Sequence, residues 1–129
     1  MDIITYAALQ KLKRSLYSVR VDAGAAISAL KVVKIEDNLA YAASSTISGD
    51  SGKIVGIATT GADLGASLLV RIMGEMSNDV WAWTPGPLFI NETGDLVSTP
   101  PATGFVQRIG RAISPTKIIV DIEQPIMRI

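Results

Sequence analysis

The sequence predicts a mainly β protein, a small antiparallel β barrel or sandwich preceded by one short N-terminal α-helix. Three observations carry that prediction. Eight short apolar runs separated by turn-forming residues fill positions 28–123. Only residues 5–22 space their apolar side chains as a helix does. No helix-length periodic segment recurs between the runs, which argues against an alternating α/β fold. The chain has 129 residues, 48% of them hydrophobic, which suffices for one domain with a real core.

In "TYAALQKLKRSLYSVRVD" (5–22), Thr5 is a candidate N-cap. Leu9, Leu12, Leu16 and Val19 form an a/d seam, with Lys11, Lys13, Arg14 and Arg20 outside it. A helix this short is marginal alone, so the segment either covers its own β domain or packs against copies of itself. The four seam residues are therefore candidates for an oligomer interface, and the four cations for docking. "DAGAA" (22–26) ends the helix at Gly24. The expected organisation is an N-terminal helix and hinge over 1–26 and a β domain over 27–129.

The β runs follow in order. "SALKVVKIE" (28–36) and "LAYAAS" (39–44) flank an Asp37-Asn38 turn. "GKIVGIATT" (52–60) follows the Gly49–Gly52 loop, and "ASLLVRIMG" (66–74) a further glycine-bounded turn. "VWAW" (80–83), "PLFIN" (87–91), "GFVQRIG" (104–110) and "TKIIVDIE" (116–123) complete the set. An internal echo runs through them: "KIVGIA" (53–58) then "LLVRI" (68–72), and "QRIGRA" (107–112) then "KIIVDI" (117–122). In each, a glycine precedes a small alanine by two positions, which suits a strand bending where a neighbour approaches closely.

Twelve basic residues balance twelve acidic ones, so nothing global points to nucleic acid. The distribution is uneven: residues 1–35 hold six cations and two acids, residues 36–100 two cations and eight acids. Such polarity suits docking on an acidic partner. There is no cysteine and no histidine. That removes disulfides, thiolate metal sites, the commonest neutral-pH acid/base and the commonest metal ligand. "GDSG" (49–52) echoes the nucleophile motif of trypsin-like proteases, but without histidine no such triad assembles, and it reads as a turn. No phosphate loop, acidic metal cluster, signal peptide or membrane-length apolar run is visible. The expectation is a non-enzyme without cofactors or metal, with no nucleic-acid or membrane partner, made in a cytoplasm.

"DVWAWTPGPLFINETGDL" (79–96) holds both tryptophans. In a strand Trp81 and Trp83 would share a face, either as a sugar-stacking or partner surface or as cover for the open end of a small barrel. Proline and Gly86 would turn the chain back into "PLFIN".

Residues 53–129 together, with "VGIA", "LLVRI" and "WAWTPGPLFINETGDLVSTPPATGFVQRIGRAISPTKIIVDI", resemble a β module of tailed-bacteriophage virion proteins. Modules of this kind look like those of capsid-decoration (cement) proteins and of head- or tail-fibre proteins, commonly homotrimeric. The resemblance implies a structural virion protein on the capsid surface, a cement protein or short head fibre, bound to itself and to the major capsid protein. The alternative it leaves open is a tail-fibre or carbohydrate-binding adhesin module using Trp81 and Trp83, with a glycan as partner. The chain lacks the extended repeats of a long fibre, which favours decoration.

Overall fold

The computed structural model describes residues 17–128. Ten strands account for the architecture: β1 (Ser18–Ala23), β2 (Val32–Glu36), β3 (Leu39–Ala42), β4 (Ile54–Ala58), β5 (Ser67–Arg71), β6 (Gly74–Ser77), β7 (Gly86–Ile90), β8 (Leu96–Val97), β9 (Arg108–Ser114) and β10 (Lys117–Val120). A short 3-10 turn covers Ser48–Asp50. The first five strands close into a barrel in the order β1-β3-β2-β4-β5, and the second five form a sheet in the order β6-β10-β9-β7-β8.

These are two copies of one design. Matching β1–β5 to β6–β10 in chain order reproduces every antiparallel pairing: β1 with β5 and β6 with β10, β4 with β5 and β9 with β10, β2 with β4 and β7 with β9, β2 with β3 and β7 with β8. The match extends to register. Val33 pairs with Gly56 and Leu88 with Gly110, and in each unit the next pairing, Lys34 with Ile54 and Phe89 with Arg108, skips one residue. Val55 and Ile109 are the bulged residues left over, and a bulge sharpens local bending. Ala58 then pairs with Val70 and Ala112 with Ile118, all four buried. A Cβ on Gly56 would collide with the carbonyl of Arg71, and one on Gly110 with that of Ile119. The echo in the sequence is thus the strand-four-to-five hairpin of two tandem units.

The units differ at one seam. In the first, β1 and β3 pair in parallel at Asp22–Leu39 and Ala23–Ala40 and close the barrel. No such pairing joins β6 to β8 among the described residues. Two apolar clusters follow. Ala23, Val33, Ala40, Ala58, Leu68 and Val70 fill the first barrel. Met76, Leu88, Ile90, Ile109, Ala112, Ile118 and Val120 fill the second unit, joined by Val32, Ala43 and Ile57 from the outer wall of the first. Strand alternation explains the division: Val33 points inward and Val32 outward, and both are fully buried because a second layer lies on that wall. Each such aliphatic side chain contributes about 1.5–3 kcal/mol on burial.

The counterpart wall of the second unit breaks this pattern. Pairing places Pro87 where Val32 stands, Arg111 where Ile57 stands and Arg108 where Ile54 stands. Pro87 and Arg111 are exposed. Charge on an outer face is a feature of terminal repeats in a stack, and here Arg111 stands where the first unit has the fully buried Ile57.

Several expectations are corrected. Residues 18–22, expected to end a helix, are strand, and β1 is a wall of the barrel rather than part of an N-terminal hinge. Its "SVRVDA" alternates with period two, and a five-residue ladder with β5 outweighs the helical spacing. Val19 and Arg20 therefore lie in a strand, while Leu9, Leu12, Leu16, Lys11, Lys13 and Arg14 fall outside the described residues. "VWAW" is irregular chain, not a strand, so "TPGP" turns no hairpin. Instead β7 pairs with β8 around Asn91–Gly94. Asp37 and Asn38 do form the expected two-residue turn, both at positive φ (51° and 65°), as a right-twisted hairpin demands.

Candidate functional site

Each unit has an entry end, where its first strand begins, and a far end. At the far ends the two units use the same device. The segment linking strands one and two folds under the strands of its unit and meets the loop linking strands four and five. In the first unit the Ile27 N–H donates to the Ala62 carbonyl at 2.8 Å, and Ile27 is buried. In the second the Trp83 N–H donates to the Pro115 carbonyl at 3.0 Å. Trp81 and Trp83 both pack against the second core. Their ring centroids are 6.2 Å apart with planes inclined at 49°, so they offer no single flat face. The indoles close the bottom of the second unit as Ile27 closes the first.

The entry ends are treated differently. That of the second unit lies under the outer wall of the first. The Val32 N–H donates to the Gly94 carbonyl (2.8 Å), the Ser45 N–H to that of Asn91 (3.1 Å) and the Phe105 N–H to that of Ser45 (2.9 Å). Lys31 crosses the junction, donating to the Thr93 carbonyl at 2.8 Å and pairing with Asp95 at 2.9 Å. The Lys31 ammonium and the Thr93 hydroxyl hold the Asp95 carboxyl below its ordinary value. Asn91 organises the loop that receives these bonds, its side-chain oxygen accepting from the N–H groups of Thr93 (3.0 Å) and Asp95 (2.9 Å).

At the entry end of the first unit no described residue lies across the barrel. Val19, Arg20, Val21, Asp22, Ile35 and Asn38 line an open groove of about 480 Å³. Val19 and Arg20, expected in an interface and in docking respectively, both stand here and are exposed, as is Asp22. Val21 and Ile35 were missed as site residues. The alternation Val19, Val21, Ala23 in "SVRVDA" is the signal that would have found the strand and, with it, the groove.

The "GDSG" loop is architectural. Asp50 is buried, accepting from the Ser44 N–H at 3.0 Å and from the Lys34 ammonium at 2.5 Å. That hydrogen bond, against the opposing effect of burial, holds Lys34 above the usual lysine value. Glu36 extends the cluster: its hydrogen bond from Lys53 and the nearby Lys34 charge lower its own carboxyl. Both Asp50 oxygens are thus engaged, and Ser51 donates its hydroxyl to the Ser48 carbonyl at 2.9 Å.

Among the described residues no group of three or more acidic side chains is placed to hold a metal ion, and no helix is long and apolar enough to cross a membrane. No protein-family model matches the chain, and no curated protein matches it significantly.

Proposed function

We propose that this chain is a non-enzymatic structural protein of a tailed-bacteriophage virion, which decorates or stabilises the capsid as a cement protein or short head fibre. It works as a self-associating module, a trimer on the virion analogy, bound to the major capsid protein. The observation that carries the reading is the glycine, proline and aromatic pattern of residues 53–129. Its landmarks have architectural uses here: Gly56 and Gly110 admit a neighbouring carbonyl, and Trp81 and Trp83 pack against the core of the second unit. The absence of histidine and cysteine from the chain, and the engagement of Asp50 in an ion pair, favour a structural over a catalytic role. A closed barrel and a five-stranded sheet, joined by a close-packed cluster to which both units contribute, make a stiff spacer, which suits a protein that braces a lattice.

The test is genetic and biochemical. Particles made without this chain should lose resistance to heat or low ionic strength, and purified chain added back should bind them and restore it. Particles of unchanged stability that bind no added chain would sink the decoration role.

A further inference from the structure

The repeat itself identifies a surface. Four positions that line the entry end can be matched between the units through their pairings: Val19 with Met76, Ile35 with Ile90, Val55 with Ile109 and Ile72 with Val120. In the second unit Met76 is 8% exposed, Ile90 and Ile109 0% and Val120 1%. In the first, Val19 is 37% exposed and Ile35, Val55 and Ile72 are only half-buried. One design has its apolar end covered in one copy and uncovered in the other.

The backbone agrees. Leu69 gives its carbonyl to the Thr59 N–H at 2.9 Å, and Ile72 donates to Tyr17 at 2.8 Å. The hydrogen-bonded pairs of the β1–β5 ladder are therefore Val19–Val70 and Val21–Leu68, and the N–H and C=O groups of Ser18 and Arg20 face the other edge. β3 reaches β1 only at Asp22 and Ala23, so among the described residues that edge has no strand beside it. In the second unit the cover supplied backbone partners as well as aliphatic side chains. Those bonds go to the β7–β8 turn at Asn91 and Gly94, whereas an unpaired strand edge such as that of β1 invites pairing with another chain.

We propose that the entry end of the first unit, centred on Val19, Val21 and Ile35, is where a second copy of this chain docks. This deepens the self-association in the function proposed above and rests on that part of it. Charge argues for a copy of itself. The rim carries both signs, Arg20 beside Asp22 and Asp37, all exposed. Among the described residues Arg20 meets only the Ser67 hydroxyl, at 3.3 Å, and neither acid enters an ion pair. A rim of mixed sign is complementary to itself in a closed assembly, whereas a foreign partner would be selected more sharply by a single sign. The second unit's outer wall is not the cover, because Pro87 and Arg111 have replaced the aliphatic residues that would fit. Association through this end therefore closes into a ring or pair rather than extending as a filament.

The experiment is sedimentation equilibrium on the full chain and on three charge variants, Arg20→Glu, Asp22→Arg and the double exchange, each checked for an unchanged thermal melt. The proposal expects an oligomeric parent. Each single reversal should weaken association about ten-fold or more, and the double exchange should restore it, an order of magnitude set by coupled charges across an interface. Val19→Asp, at an exposed site, should also give monomers without unfolding the barrel. A monomeric parent overturns the proposal and leaves this end to a different protein or to the chain's own first residues. An oligomer indifferent to all four variants overturns it equally. A monomer that is nonetheless found in virions would remove this interface while leaving the virion role standing.

Discussion

Gly56 and Gly110 stand at one and the same place in two successive five-stranded units, each facing the carbonyl of the fifth strand of its own unit. Neither glycine has a positive φ, so the requirement is space and not backbone freedom. Gly56→Ala and Gly110→Ala should each destabilise the protein by about 1–3 kcal/mol through overpacking. Urea denaturation of the two variants measures this, and an alanine tolerated at either site would mean that the hairpin can open there.

The Lys34–Asp50 pair ties the β3–β4 loop to the barrel. Asp50→Asn leaves a nearly buried ammonium without its main counter-charge, at a cost of about 3 kcal/mol. Lys34→Met combined with Asp50→Asn should recover part of that loss, since neither member of the pair then carries a charge without its partner. A double-mutant cycle by chemical denaturation reads the coupling.

pH should act on the protein from both sides. Lys34 has a raised folded value, so its stabilisation is complete below the unfolded lysine pKa of about 10.4 and is lost as pH climbs through the higher folded value. Asp95 has a lowered value, so the Lys31 clasp contributes above the unfolded carboxylate pKa of about 3.9 and is lost as pH falls through the lower folded one. Asp95→Asn should therefore flatten the acid limb of a stability-versus-pH curve and leave the alkaline limb alone. Lys34→Met should remove the alkaline limb, and it should alter the acid limb as well, because Asp50 and Glu36 both lose that charge as a partner.

Trp81 and Trp83 separate the structural reading from the adhesin reading. As cover for the second core, Trp83→Ala should cost no more than about 3 kcal/mol, given that the ring is only half-buried. The same substitution should have no effect on glycan binding, because no binding is expected. A glycan-array signal from the parent that disappears in Trp81→Ala would instead favour a carbohydrate surface.

Much of this fold was legible in the sequence, and the parts that were not have identifiable causes. The Asp37-Asn38 turn announced the β2–β3 hairpin because few residues accept two consecutive positive φ angles. The glycine-alanine echo announced the repeated hairpin because steric demand leaves a small residue as its mark. Its extension to all ten strands was hidden, since the remaining matched positions share only being apolar, as Val33 and Leu88 do. β1 was obscured because Val19 continues a three-four spacing begun at Leu9 while also opening a period-two pattern, and only pairing with β5 decides between them. "VWAW" had strand composition but an end-capping role, fixed by the Trp83–Pro115 bond that no local pattern encodes. The uncovered end was illegible altogether, because it is visible only by comparing burial between two copies of one design.

The proposed role, a structural part of a phage virion, is tested most directly by the copy number of this chain in purified phage particles. Quantitative mass spectrometry against the major capsid protein supplies it. The account predicts a stoichiometry comparable with that of the capsid protein, as a lattice-wide decoration requires. Absence of the chain from the particle would contradict the account.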